Sequence, residues 1–239
     1  MNEISGSNKK WYEGVTRYQW LVLTIASLGW MFDVFEGQIF VASMRDAMPA
    51  LLGVDADSPA VSKWNDWAFG SFLLGGAFGG VLFGMLSDRI GRSKTMIITI
   101  LFYSLFTCVT AFAQQPWQMV TLRFFVAMGV GGEWAVASAM VAEVMPDRSR
   151  PVMSSIFHAS SVFGTLMAAA VGAFVVGNTD VLGPSAWRYG FAIGAAFLAS
   201  YLVSRFNGAF RFGSDCHMDD KPQRMHQHRV SRLGGIGFI

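Results

Sequence analysis

Formal charge is scarce in this sequence. Only 14% of its 239 residues are Asp, Glu, Lys or Arg, whereas charged residues make up about 25% of an ordinary soluble domain. Hydrophobic residues make up 53% of the chain, and so few charged residues cannot form a polar surface around them. This composition argues against a soluble protein. The formal net charge of +2 also lacks the basic excess typical of nucleic-acid-binding domains, so no nucleic-acid partner is expected.

Cysteine is nearly absent as well, with two residues in the chain. Cys108 lies in an apolar stretch and Cys216 in a polar tail, so no disulfide framework is predicted. The tail also holds His217, His226 and His228, but their spacing from Cys216 matches no standard zinc site. We expect neither a bound metal nor another cofactor.

Long apolar stretches are what the sequence has in abundance. A helix needs about 20 mostly apolar residues to cross the hydrocarbon core of a bilayer. Six stretches reach or approach that length: residues 20–41, 67–87, 95–117, 117–145, 152–179 and 189–204. The chain is therefore predicted to be an all-α integral membrane protein, with an N-terminal arm over residues 1–19 and a six-helix transmembrane domain over residues 20–205.

Basic residues indicate how these helices are oriented. Lys and Arg close to a span resist translocation, so the loops that carry them stay in the cytoplasm. They lie in the N-terminal arm and in the second and fourth loops: Lys9, Lys10, Arg17, Arg89, Arg92, Lys94, Arg148 and Arg150. The alternate loops are poorer in basic residues. Both termini are thus predicted to face the cytoplasm from the inner (plasma) membrane.

A short polar turn separates the second span from the third. It reads GMLSDRIGRSK over residues 84–94 and carries four formal charges. Glycines four residues apart precede it, which leaves one face of the second helix nearly bare backbone: Gly75, Gly76, Gly79, Gly80 and Gly84. Another helix can approach such a face closely, and static helix packing is one interpretation of these glycines.

The turn resembles the loop signature of the major facilitator superfamily, Gly-x-x-x-Asp-Arg-x-Gly-Arg-x-Lys. RFFVAMGVGGEW (residues 123–134) is similar to the fourth-helix signature of that family, and AEVMPDRSRP (residues 142–151) resembles the stretch that leads into its fifth helix. Trp187 and Arg188 resemble the pair that opens its sixth helix. The resemblance implies a six-helix bundle equal to the amino-terminal half of a twelve-helix transporter.

The resemblance also implies a gating role for the turn. In that family, Asp and Arg residues of this loop form a charge network with the ends of neighbouring helices, and the network breaks when the transporter rocks. The implied gating residues are Gly84, Asp88, Arg89, Gly91, Arg92, Lys94, Glu143 and Arg148. The alternative is that the basic residues only hold the loop in the cytoplasm, which leaves Asp88 unexplained.

Charged residues inside the spans indicate where transport chemistry takes place. An ionisable group at mid-membrane costs about 3 kcal/mol or more and persists mainly along a transport pathway. Asp33 and Glu36 are three residues apart, so they share one face of the first helix. Arg123 lies at a similar depth on the fourth helix, which leaves an ion pair with either carboxylate open. Glu133 lies near the middle of that same helix, and purely structural buried pairing is the alternative.

Two further interpretations concern the solute. Arg123 is a candidate site for an anionic substrate, because a guanidinium binds a carboxylate in a bidentate manner, and this favours organic acids over neutral sugars. His158 in the fifth span is a further cavity candidate, because imidazole titrates near physiological pH; a packing histidine is the alternative. The predicted proton-coupling and substrate residues are Asp33, Glu36, Arg123, Glu133 and His158.

Residues 206–239 break the membrane pattern. This segment is rich in charges, holds three of the four histidines and contains no further apolar span, a composition typical of disorder. A frameshifted or truncated reading frame is one explanation of this tail. A regulatory tail is the other.

The sequence thus predicts half of a secondary active transporter that takes up a small organic solute with protons by alternating access. By resemblance the solute is an organic acid of the sialate or aromatic-acid type, or a sugar. The implied partners are this solute, protons, the lipid bilayer and a second six-helix unit, supplied by another copy or a separate chain. The alternative is a non-transporting membrane scaffold or the inactive remnant of a transporter gene. No enzyme is expected, since no nucleophile elbow, phosphate loop or metal-binding pair is present.

Overall fold

The computed structural model describes residues 10–177, 181, 183 and 185–194, all within a compact unit of residues 1–202. Its first four helices are α1 (Arg17–Leu52), α2 (Pro59–Ile90), α3 (Arg92–Thr110) and α4 (Pro116–Val144). A fifth rod consists of α5 (Arg150–Ala159), α6 (Ser161–Val171) and a π-helical turn (Gly172–Val176). These five rods are long and apolar enough to cross a membrane, which confirms the prediction of an all-α, multi-pass membrane protein.

The predicted sixth span is described only in part. Residues 186–194 are helical. Residues 195–204 of that span, the whole tail 206–239 and the first nine residues of the arm lie outside the described residues. The predictions made for the tail therefore stay predictions.

Helix ends differ from the predicted span limits, because caps and not hydropathy decide where a helix begins and ends. Thr16 and Gln19 form a reciprocal capping box that begins α1 at Arg17, three residues before the predicted start. This helix continues through residue 52 until Gly53 ends it in the left-handed conformation, with a φ of 66°. The third span ends at Thr110 instead of 117, because Pro116 occupies the first turn of α4.

The fifth rod is interrupted where a continuous helix was predicted. Ser160 separates α5 from α6, and its hydroxyl lies 2.6 Å from the carbonyl oxygen of Phe157 and 3.1 Å from that of Ser27 on α1. Hydroxyls that bond to the preceding helical turn bend helices. The interruption therefore coincides with the point at which this rod is held against α1.

The glycine face of α2 packs directly on α4. A Cβ atom at Gly75 would overlap the carbonyl oxygen of Phe124, and one at Gly79 would overlap that of Met128. Gly131 of α4 has the reciprocal relation to the carbonyl oxygen of Gly76. The predicted close approach of a second helix is confirmed. Gly84 does not take part in it, since nothing lies within 4 Å of a Cβ built there.

Two apolar clusters fill the bundle on either side of a polar layer. The first joins α1, α3, α4 and α5 around Ala26, Ile100 and Val136. The second joins α1, α2, α4, α6 and residues 186–194 around Phe40 and Met119. Along α1, Asp33 lies between the residues that belong to the first cluster and those that belong to the second. The fold thus places Asp33 and Glu36 of α1 at the centre of the bundle.

Candidate functional site

Six polar side chains from α1, α3 and α4 are buried at the centre of the bundle. Each is at most 2% exposed, and we call this set the buried polar cluster: Asp33, Glu36, Tyr103, Thr107, Arg123 and Glu133. The four charged residues predicted to lie deep in the membrane, Asp33, Glu36, Arg123 and Glu133, are all members. Burial of this kind requires that the charges interact with one another, since none can reach bulk water.

Arg123 and Glu36 form a buried ion pair across α4 and α1. Nη1 of Arg123 donates to Oε1 of Glu36 over 2.6 Å, and the Thr107 hydroxyl donates to the same oxygen over 3.3 Å. The guanidinium carbon also lies 4.5 Å from the ring centre of Phe40 and 4.8 Å from that of Phe191. Of the two carboxylates open as partners, the structure therefore pairs Glu36 with Arg123, and it adds a cation–π contact on two sides.

Asp33 links this pair to Glu133. It lies within electrostatic reach of both glutamates and interacts with the side chain of Tyr103 on α3. The described part of the cluster thus holds three carboxyl groups and a single guanidinium. Burying several like charges together costs several kcal/mol, so this cluster is acidic and energetically costly when all three carboxyl groups are ionised.

Glu133 rests on the backbone of α1. A Cβ atom at Gly29 would overlap Oε1 of Glu133 and lie 3.4 Å from the terminal methyl of Met96. The absence of a side chain at residue 29 therefore makes room for the carboxyl group. Sequence reasoning missed Gly29, because a single glycine in an apolar span carries no sign of what faces it.

His158 does not join the buried polar cluster. Its side chain is exposed on α5, with ring centres 6.3 Å from Trp30, 6.5 Å from Trp134 and 4.9 Å from Phe157. Both tryptophans line an open groove of about 530 Å³ between α1, α2 and α4. The predicted cavity candidate thus adjoins a cavity, but a different one from the site of the charges. We call it the aromatic groove, lined by Trp30, Phe72, Leu73, Gly76, Ala77, Gly80, Val81, Ala127, Val130, Gly131, Trp134 and Ala135.

The polar turn between α2 and α3 forms a network centred on Arg92. Nη2 of Arg92 lies 2.8 Å from Oε1 of Glu143 on α4 and 2.9 Å from Oδ1 of Asp88, while Nη1 donates to the Ser87 hydroxyl. Gly91 has a φ of 94°, a conformation that side chains disfavour, so the turn requires glycine. The ends of three helices therefore meet at one guanidinium.

Three further predicted gating residues are basic. Arg89, Lys94 and Arg148 are exposed at the surface. Arg150 pairs with Asp147 over 2.7 Å. The structure thus brings together Asp88, Arg92 and Glu143 and leaves the remaining basic residues at the periphery.

Arg188 makes two hydrogen bonds, not anticipated from the sequence, to the segment that follows α3. Arg188 donates through Nη1 to the carbonyl oxygen of Ala111 over 2.5 Å and through Nη2 to that of Ala113 over 2.8 Å. These carbonyls follow the end of α3, where helices leave acceptors unsatisfied. The Trp-Arg dipeptide pointed to Arg188 in the sequence, but nothing indicated its partner, because Ala111 lies 77 residues away in the chain.

The N-terminal arm contacts the end of α4 that carries Glu143. Nε2 of Gln19 donates to the carbonyl oxygen of Val144 over 2.8 Å, and the Ser149 hydroxyl donates to that of Trp11 over 2.6 Å. The arm, the polar turn and the connection from α4 to α5 therefore lie at the same end of the bundle. Among the residues that the structure describes, no three His, Cys, Asp or Glu side chains are grouped so as to hold a metal ion.

Comparison with known proteins adds to this geometry. Residues 20–227 match the sequence profile of the Major Facilitator Superfamily. The niacin transporter NiaP of Acinetobacter baylyi is 32% identical over 180 residues, which cover 75% of this chain and 38% of that protein. The gentisate transporter of Corynebacterium glutamicum is 29% identical over 173 residues, which cover 72% of this chain and 37% of that protein.

A solved structure shares the fold. The crystal structure of a bacterial homologue of the human lysosomal transporter Spinster, inward-facing and unoccupied, matches with a TM-score of 0.65 at 18% identity, over 80% of this chain and 43% of that one. The bundle is therefore one half of that fold. The chain likewise spans less than half the length of the curated relatives it matches, with 45% and 42% in two further cases.

Proposed function

The chain belongs to the Major Facilitator Superfamily, and we propose that it forms the amino-terminal half of a secondary active transporter that takes up small organic acids together with protons. Relatives named as niacin and gentisate transporters support this solute class, since both named compounds are planar aromatic acids. Aromatic acids are accordingly preferred to sialates and sugars. The proposal includes placement in the inner membrane with both termini in the cytoplasm, in keeping with the basic loops.

Proton coupling rests on the composition of the buried polar cluster. Asp33, Glu36 and Glu133 surround a single described guanidinium, that of Arg123, which is already paired with Glu36. Three carboxyl groups this close together repel one another when all are ionised, and burial adds to that cost. Asp33 and Glu133 are therefore the groups that take up and release a proton, while Glu36 and Arg123 maintain the ion pair that orients them.

Alternating access would use the network at Arg92 as a latch. Asp88 and Glu143 are largely exposed, with side chains 67% and 50% accessible, and exposed ion pairs contribute only about 0–1 kcal/mol. A latch of this strength can open and close at little cost during each transport cycle. The helices that it joins, α3 and α4, also supply Tyr103, Arg123 and Glu133 to the buried polar cluster.

A second six-helix unit would complete the transport pathway, supplied by another chain or a second copy. The outer face of α2 supports this proposal, because it exposes large apolar side chains outside the aromatic groove: Leu74 is 68% and Phe78 is 56% accessible. An exposed apolar face of this size must contact either lipid or protein. In a major facilitator fold the two halves pack together around the solute.

Uptake into proteoliposomes tests the proposal. The full chain is reconstituted, alone and with a co-expressed second half, and uptake of labelled nicotinate is followed with and without an imposed inward proton gradient. Gradient-driven uptake that Glu133→Gln abolishes, with membrane insertion intact, is the expected result. Glu13→Gln is the matched control, because Glu13 is exposed in the N-terminal arm. Inserted protein that takes up no solute under either condition would instead favour a non-transporting scaffold or an inactive remnant.

A further inference from the structure

The aromatic groove shares no residue with the buried polar cluster or with the network at Arg92. Its lining is almost entirely apolar, and its volume of about 530 Å³ lies within the range of small-molecule sites, about 300–1,000 Å³. Two indole rings dominate it, those of Trp30 and Trp134, whose centres lie 6.4 Å apart at 45°. Trp134 is 44% exposed, so its ring is accessible to a ligand.

Glycines keep one wall of the groove flat. Gly75 and Gly79 are required by the contact with α4, but Gly76 and Gly80, which line the groove, are not. A Cβ atom at Gly76 would lie 3.8 Å from the nearest heavy atom, and one at Gly80 would lie 3.6 Å away, which are ordinary contact distances. Glycine costs a helix about 1 kcal/mol relative to alanine. These two positions therefore sacrifice stability for open space beside the indole rings.

A hydrogen-bond donor adjoins this apolar surface. The imidazole of His158 lies perpendicular to the ring of Trp30, at 89°, and within 6.5 Å of the ring centre of Trp134. Imidazole carries an N–H donor in either protonation state. The combination of a flat apolar wall, two indole rings and an imidazole donor at the margin is suited to a planar ring that carries one carboxylate.

We propose that the aromatic groove binds a planar aromatic monocarboxylate, with the ring beside Trp30 and Trp134 and the carboxylate accepting a hydrogen bond from His158. This inference rests on the proposed function for its solute class. It assigns the solute to the groove and leaves Arg123, which two phenyl rings and Glu36 enclose, to a role inside the bundle.

The groove is also coupled to the acidic residues by sequence adjacency. Trp30 follows Gly29, and Trp134 follows Glu133, so the contact between the two tryptophans is continuous with the contact between Gly29 and the Glu133 carboxyl group. The aromatic groove and the buried polar cluster therefore lie next to each other along α1 and α4.

Equilibrium binding of labelled nicotinate to the full chain in lipid nanodiscs tests the assignment. We expect saturable binding that Trp134→Ala weakens about tenfold, the loss expected for one aromatic contact. Gly80→Ala, which adds a methyl group to the groove wall without a clash, is a second variant that should weaken binding even if Trp134→Ala fails to fold. Trp117→Ala is the matched control, because Trp117 is exposed on the same helix but does not line the groove.

Competitors test the chemistry. His158→Phe, which removes the N–H donor, should weaken nicotinate about tenfold, and nicotinamide, whose carbonyl oxygen is an uncharged and weaker acceptor, should lose less affinity in the same variant. Cyclohexanecarboxylate, which has the charge but no aromatic ring, should compete poorly. No nicotinate binding, equal binding by Trp134→Ala and Gly80→Ala, or equal competition by cyclohexanecarboxylate would overturn the assignment.

The binding and uptake experiments can fail separately. Nicotinate that binds at Trp134 without any uptake removes the proposed transport function and leaves the groove assigned. Coupled uptake with wild-type affinity in Trp134→Ala and Gly80→Ala removes the groove and leaves transport intact.

Discussion

Gly29 and Glu133 meet without space for a further atom between them. The carboxyl group of Glu133 occupies the position that a side chain at residue 29 would take, so α1 and α4 are spaced by a functional group and not by apolar packing alone. Because Glu133 is fully buried, its position depends on this glycine. The relation leads directly to a mutational test.

Gly29→Ala should destabilise the protein by about 1–3 kcal/mol, because the added methyl group overpacks the site. Thermal unfolding in detergent measures the loss. The double variant Gly29→Ala with Glu133→Ala should recover much of it, since the clash then has no partner. Gly37→Ala is the control, because nothing lies within 4 Å of a Cβ atom there; equal effects at residues 29 and 37 would refute the contact.

Arg123→Met should be among the most destabilising changes in the protein. It leaves Glu36 buried without its cation, for which we expect a loss of about 3–5 kcal/mol. Pairing it with Glu36→Met should restore most of the stability, because two apolar side chains then replace both charges. Denaturant unfolding of the four proteins in the cycle measures the coupling. Purely additive losses would show that the pair contributes nothing.

Asp88→Asn should change transport kinetics and leave stability nearly unchanged. The pair with Arg92 is exposed, so its loss should alter the free energy of unfolding by less than about 1 kcal/mol. Turnover should slow more than solute affinity weakens, because the proposed latch acts on conversion between states. Arg89→Gln provides a comparison, since Arg89 is a neighbouring exposed residue of the same turn. A change in affinity alone would contradict the gating role.

Gly79→Ala and Gly84→Ala should differ sharply in stability. A Cβ atom at Gly79 overlaps backbone of Met128, which cannot move aside without displacing α4, whereas one at Gly84 meets nothing within 4 Å. We expect a loss of about 2 kcal/mol or more for the first and none for the second. Melting temperatures of the two variants decide. A stable Gly79→Ala variant would refute the close packing of α2 on α4.

Arg188→Met should loosen the connection between α3 and α4. The carbonyl oxygens of Ala111 and Ala113 lose two charge-assisted donors, for which a loss of about 1–3 kcal/mol is expected. Hydrogen exchange should increase locally over residues 108–115, while the region around Arg92 keeps its protection. Uniformly faster exchange would instead indicate global destabilisation.

Composition and motif spacing were sufficient to predict the class of protein. Long apolar stretches predict membrane spans, because a helix must be apolar over about 20 residues to cross a bilayer. Asp88, Arg92 and Glu143 belong to family motifs, and Arg92 contacts both of the others in the structure. The choice of Glu36 over Asp33 as the partner of Arg123 was not predictable, because both carboxylates lie on one face of α1. Which of two acids a guanidinium contacts depends on the rotation and tilt of helices, and periodicity does not encode these.

His158 illustrates the same limit from the other direction. Its position in an apolar span suggested a cavity, but its surroundings depend on Trp30 and Trp134, which lie 128 and 24 residues earlier in the chain by their numbers. Each tryptophan by itself resembles an ordinary lipid-facing or interfacial residue. Their convergence arises from the crossing of α1, α4 and α5, and only three-dimensional packing brings the three rings together.

A single rigid rod, α4, carries a member of every site described. Arg123 and Glu143 are 20 positions apart by their numbers, which corresponds to about 30 Å of helix. If a rigid segment of that length rotates by about 5° around one end, its other end moves by about 2.6 Å. This displacement is nearly the distance between Nη2 of Arg92 and Oε1 of Glu143. The proposed solute site, the carboxyl groups and the polar turn would then influence one another directly, because each contacts the same helix at a different point along its length.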